Sequence, residues 1–439
     1  MTVAGDAAAR GPVAGEATGA PTDAPVPPAA RRRTLRPTRA TWPIWSITAG
    51  MPLAFLVGVH GFVWALPGLV LGARILADRD VRFPRTTLPL ITFLGWAFLS
   101  ALMIGTGSGY LLFAYRWLLF AGALATLVWL ANVPVARVPS ELIVDWLATL
   151  FIMLVVCGYL GVALPHFVQK SPFQLLLGPA GNVGFVDEIS RWRFAETQGF
   201  LGYQVARPSA PFNATNGWGA AIGILSPFFV RSWLVQPDRS RRRWGYLIGA
   251  AAIYPVVMSI NRGLWISVGV GLVYFAARKA LRGRFAAIGV LVGALVAVAA
   301  LLLLTPAGGL VGDKLAKSGK SNESRSTLYE EAFQGAKDSP LIGNGAPRRA
   351  VDAPVGMPPI GTHGLLWYLM FVHGFVGLIL FLAWLILEVL RSGRVRTADG
   401  WWSHLALVIG LVQVPFYGLL PQVVLLGIAA GLSHREEPA

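Results

Sequence analysis

Charge is scarce in this chain: Asp, Glu, Lys and Arg make up only 13% of its 439 residues, about half the share of a soluble globular domain. That excludes a water-soluble enzyme of ordinary composition. Cysteine is nearly absent, with Cys157 alone inside an apolar run, so neither an intrachain disulfide framework nor a cysteine metal cluster can be built. No metal-ligand constellation and no phosphate-cradling Walker pattern is present, and no cofactor is expected. Acidic residues number 21 against 37 basic ones, for a formal charge of +16. The basic residues punctuate apolar runs rather than forming a continuous patch, which argues for a membrane protein and against a nucleic-acid partner. The apolar runs are continuous rather than alternating at every second residue, which excludes a β-barrel.

What is present is apolar: 55% of residues are hydrophobic and the mean hydropathy is +0.60. A membrane span needs about 20 residues. Runs of that kind fall near 43–59, 62–77, 87–104, 110–131, 141–165, 214–233, 244–260, 264–281, 285–305, 363–390, 402–417 and 419–433. The expected fold class is therefore an all-α polytopic membrane protein with about twelve transmembrane helices. Residues 1–40 are rich in Ala, Pro and Gly, end in RRRTLRPTR, and read as a disordered basic cytoplasmic tail. Residues 41–434 form a single transmembrane domain. Arg31–Arg33, the Arg74 to Arg85 group, Arg239 to Arg243, Arg278 to Arg284 and Arg391 to Arg396 all fall on one side under this count. The positive-inside rule makes that side cytoplasmic, with both termini there.

Two connections on the opposite, external face are long, at about 167–213 and 306–362. Loops of that length commonly carry function, so the active site is expected there. Arg262, in SINRGLW, stands at an external span boundary; it reads either as a snorkelling anchor or as an anion-binding fork. The second loop has helical spacing over Ser324 to Ala336, with Leu328, Ala332 and Phe333 as an apolar stripe. Arg325 lies in its first turn, where the helix dipole favours anions instead, so it is either a solvated charge near Glu323 and Glu330 or a retained functional one. The glycines of SPLIGNG permit tight turns. His363 then enters a long span, as an interfacial side chain or as a general base.

Ser259–Arg262–Gly263, then Arg325–Tyr329–Ala332, then Pro340–Leu341–Gly343–Gly345, then His363 with Gly374 and Gly377 occur in that order. Together with PFNATNGWGAAIGI from Pro211, this order resembles the O-antigen ligase and polymerase family, clearly over about residues 200 to 380. The chain departs from the family pattern at Asn261, Tyr329 and Gly364, where serine, tryptophan and asparagine are usual. The resemblance implies a GT-C-like glycosyltransferase of the bacterial inner membrane. It would transfer a glycan from a polyprenyl-diphosphate carrier to a hydroxyl of a glycan, lipid or cell-wall acceptor, without a metal. Carried over by position, Arg262 and Arg325 bind the diphosphate and His363 is catalytic; a monomer suffices. The readings from other classes are a transporter or flippase of lipid-linked glycans and a secretion scaffold.

Arg116, Arg191 and Arg207 are accessory candidates. Arg116 lies about two turns into a span, where an arginine either serves function or snorkels to a carbonyl. Arg191 opens the alternating RWRF run, either a sugar- or phosphate-binding surface or ordinary cation–π contacts. Arg207 adds external positive charge. His373 and Asp145 read as interior helix-contact residues.

Overall fold

In the computed structural model the described residues are 36–435, apart from 106, 199–203, 305–307, 310–311, 314–317, 349–358, 361–363 and 396; at 108, 294, 297, 301, 318–325 and 398 the backbone alone is described. The tail expected over 1–40 thus lies almost wholly outside the described residues.

Helices dominate because an apolar chain in lipid must satisfy its backbone internally. In chain order they are α1 (Trp42–Ser46), α2 (Met51–Val57), α3 (Gly72–Ala77), α4 (Leu88–Ala101), α5 (Gly107–Asn132), α6 (Ser140–Ala163), α7 (Pro172–Leu177) and α8 (Gly184–Ser190). There follow α9 (Thr215–Phe229), α10 (Arg239–Met258), α11 (Arg262–Ala280), α12 (Ala286–Leu304), α13 (Ser318–Asp338), α14 (Leu365–Ser392), α15 (Ala398–Gln413) and α16 (Val423–Arg435). Four of them hold a stretch long and apolar enough to cross a membrane unaided: Gly109–Asn132, Ser140–Ala163, Ala286–Leu304 and Leu365–Ser392. The other expected runs are shorter, broken or more polar. The run 43–59 divides into α1 and α2, and 62–77 passes through a 3₁₀ turn and a π-turn beginning at Pro67 before α3. Proline lacks the donor that would continue a regular ladder. Likewise α9 ends in a π-turn over Val230–Leu234 just after Pro227.

Small residues set the closest helix approaches, as expected where backbones must meet without an aqueous driving force. Gly427 and Gly431 of α16 lie against Ala123 and Leu127 of α5, and Gly158 of α6 receives Pro255 and Trp218. The first long loop is not purely irregular. It carries α7, α8 and two antiparallel ribbons: β1 (Val168–Gln169) with β2 (Trp192–Arg193), and β3 (Ala195–Gln198) with β4 (Val205–Pro208). The second holds α13, longer than the expected 324–336 helix. Leu328, Ala332 and Ala336 are its buried stripe, at spacing four, while Phe333 is 37% exposed at the edge of that stripe.

Candidate active site at the entries of α11 and α14

At one end of the bundle α10 stops at Met258 and α11 begins at Arg262. The turn between them is tight: Ile260 has φ +47° and is 2% exposed. A β-branched residue in the left-handed region is held there only by its surroundings. Three contacts supply that hold. The buried Arg207 of β4 donates from Nε to the Ser259 carbonyl at 2.7 Å and from an Nη to Gln198 Oε1 at 2.7 Å. Asn261 Nδ2 donates to the Thr215 carbonyl at 3.2 Å, and the Tyr417 hydroxyl donates to Asn261 Oδ1 at 2.5 Å. Arg262 itself is half-buried at the first position of α11.

Tyr417 joins this turn to the entry of α14. It is 2% exposed, its ring lies against Gly263, and its carbonyl accepts from Leu365 N at 2.6 Å. Leu366 N donates to the Val414 carbonyl at 3.1 Å. Gly364, at φ +100°, passes so close to the Pro415 carbonyl that a Cβ would not fit. His363 precedes this glycine and lies outside the described residues.

The α14 entry in turn holds α13. Trp367 stacks on Tyr329, ring centroids 4.3 Å apart and planes 10° apart. Arg325 stands one helical turn before Tyr329; its backbone is helical and its side chain lies outside the described residues. Lys314, Lys317 and Lys320 are likewise beyond side-chain description.

A kink in α14 completes the junction. Gly374 breaks the helix with φ +70° and ψ −178°, which frees carbonyls one turn earlier. The SPLIGNG loop supplies the donors. Asn344 N reaches the Phe371 carbonyl at 2.9 Å, Gly345 N reaches Val372 at 3.0 Å, and Phe375 N donates back to the Pro340 carbonyl at 2.8 Å. Asn344 Nδ2 also donates to Gly335 O of α13 at 2.9 Å. Gly343 and Gly374 both need positive φ, and a Cβ on either would strike the other strand of this contact. Two glycine-containing motifs far apart in sequence are therefore one piece of structure.

The accessory arginines separate by their partners. Arg116 of α5 lies over the Tyr368 ring at 5.2 Å to the centroid, a cation–π contact with the residue after Trp367. Arg191 forms an ion pair with Asp187, Nη2 to Oδ1 at 2.5 Å. Arg207 is buried at 6% exposure, a clamp on the α10–α11 turn rather than a surface charge. His373 is 2% exposed with its ring 5.4 Å from that of Phe93, and Asp145 bonds Ser232 and Arg241, so both are interior residues as expected. Among the described residues no group of three His, Cys, Asp or Glu is placed to hold a metal. Sequence reasoning missed Tyr417, Thr215 and Asn344. They carry no charge, and only their distant partners distinguish them.

A family described as O-Antigen ligase matches residues 247–382. The match spans the end of α10, Arg262, all of α13, the glycine loop and the kinked half of α14, which bears out the resemblance read from the motifs. No curated protein matches the chain. The chain thus carries a region similar to that family, set among apolar helices of which four are long and apolar enough to cross a membrane.

Proposed function

We propose that the protein is an integral-membrane glycosyltransferase that moves a glycan from a polyprenyl-diphosphate carrier to an acceptor hydroxyl. It acts on the external face of the bacterial inner membrane, as a ligase or a polymerase. One observation supports this most: Tyr417 touches Asn261, Gly263 and Leu365, and Trp367, two residues after Leu365, stacks on Tyr329. These are the immediate neighbours, in sequence or by one helical turn, of Arg262, His363 and Arg325. Described neighbours of three positions spread over about a hundred residues thus meet at one junction, which supports the reading.

In the proposed reaction His363 takes the proton from the acceptor hydroxyl as its oxygen bonds to the anomeric carbon. The bond from that carbon to the diphosphate oxygen breaks, and the electron pair leaves with the carrier. Arg262 and Arg325 hold the diphosphate, where preorganised guanidiniums offset the charge that grows on departure. Arg116 and Arg207 position rather than react, one against Tyr368 and one against the turn before Arg262. The remaining apolar helices would complete about twelve crossings in a GT-C-like arrangement, with both termini cytoplasmic and the protein active as a monomer. The flippase reading is less favoured, because the buried charges at the other end of the bundle pair with one another instead of lining a path.

The test is reconstitution of the purified chain with a polyprenyl-diphosphate glycan and candidate acceptors, with transfer read as a mass shift and chelator present. Transfer that needs Arg262, Arg325 and His363 is the expected outcome. Passage of the carrier across the bilayer without transfer would replace this reading with transport.

A further inference from the structure

A cleft away from this junction lies where α3 and α5 end. Its volume is about 400 Å³. Along α5, Asn132 is 16 residues beyond Arg116, roughly 24 Å at the helical rise. Three guanidiniums line the cleft, those of Arg39, Arg74 and Arg137, against one carboxylate, Asp78. Arg74 is fixed by two neutral acceptors, donating to the Ala40 and Arg39 carbonyls at 2.8 Å each. The loop carrying Arg137 is fixed too, because Arg435 donates to the Val133 and Val138 carbonyls. Asp78 accepts from the Asp80 backbone at 3.1 Å, and among the described residues no ion pair joins it to any of the three arginines. The cleft therefore presents positive charge, anchored at Arg74, in excess of its one carboxylate.

Its walls separate a membrane ligand from a soluble one. Val128, Val133 and Trp129 line it beside the cations, and Leu76, next to the lining Ile75, is 88% exposed. Cations, a tryptophan and an exposed apolar flank together are the pattern of a headgroup-level site, with phosphate on the guanidiniums and acyl chains along the apolar face. We infer that this cleft binds the phosphate of an anionic phospholipid, in the leaflet opposite the candidate active site. The inference does not depend on the transfer reaction.

The full chain, purified in detergent, is offered phosphatidylglycerol and phosphatidylcholine in equal amounts, and retained lipid is read by native mass spectrometry. The side chains of Arg39 and Arg137 are exposed and bear no described fold contact, so Arg39→Gln with Arg137→Gln is the test variant. Arg239→Gln with Arg243→Gln removes equal charge at a distant site outside the cleft lining, the start of α10. Wild type and the distant variant should retain phosphatidylglycerol preferentially. The cleft variant should lose that preference by roughly thirtyfold, given the usual contribution of a basic residue at a charged membrane surface. Equal retention of both lipids, or an equal loss in both variants, would overturn the site. Displacement of the lipid by millimolar inorganic phosphate, with equal stabilisation by phosphate alone, would reassign it to a soluble anion.

Discussion

The two ends of the helix bundle treat their charges differently. At the end where α6 and α15 begin, half-buried cations meet buried carboxylates. Arg241 pairs with Asp145 at 2.8 Å, Arg231 with Asp399, and Glu388, fully buried, takes both Arg391 and His434 at 3.2 Å. At the end where α11 and α14 begin, the contacts are of another kind. Arg116 lies over an aromatic face, and Arg207 donates to a carbonyl and an amide oxygen. A buried pair that neutralises itself holds helices together and does nothing more. A cation on an aromatic face, as Arg116 is, keeps its full charge for a further anion. The difference separates charges neutralised by carboxylates from charges resting on neutral partners, and the latter are what the proposed anionic donor would need.

The sharpest way to break this comparison is at the site end. His363→Ala should lower transfer by about 10²–10⁴, the usual weight of a positioned general base, and Arg262→Ala or Arg325→Ala by about 10²–10³. Unfolding temperature should stay near that of wild type, and a large fall in it would instead class these residues with the structural end. Next in size is Glu388→Ala, which leaves Arg391 and His434 buried without their carboxylate and should destabilise by about 3–5 kcal/mol. Thermal unfolding in detergent reads it, and turnover per folded molecule should change little.

Gly374→Ala sharpens the contrast from within α14. The new methyl meets the Leu341 carbonyl at a left-handed φ, so a loss of about 1–3 kcal/mol is expected, with activity falling in step as α13 loosens. The smallest effect belongs to Tyr417→Phe, which leaves Asn261 without its donor. About 1–2 kcal/mol should be lost, seen as a rise in KM for the carrier. An unchanged KM would separate the α11 turn from the α14 entry and undo the proposed junction.

Much of the site is legible in the sequence, and for a definite reason. Arg262, Arg325 and His363 stand out because charge is rare in this chain, and a rare cation beside an apolar run demands explanation. The glycines of the loop and of α14 are legible as a pattern, but not as one object. Their pairing depends on carbonyls freed by a kink, and a kink is invisible in composition. Arg207 reads as surface charge in the sequence because burial depends on what a residue meets in space, here the α10–α11 turn at Ser259, not on its neighbours along the chain.

The sequence by itself determined the helical membrane class and the motif order, because hydropathy and spacing are local properties that lipid enforces along each run. Tertiary structure alone decided which apolar runs are straight, which loops carry strands, and that Tyr417 ties two distant entries together. Those outcomes rest on hydrogen bonds and close approaches between segments far apart in the chain, such as Tyr417 on Asn261 across 156 residues, and no local property of a chain encodes them.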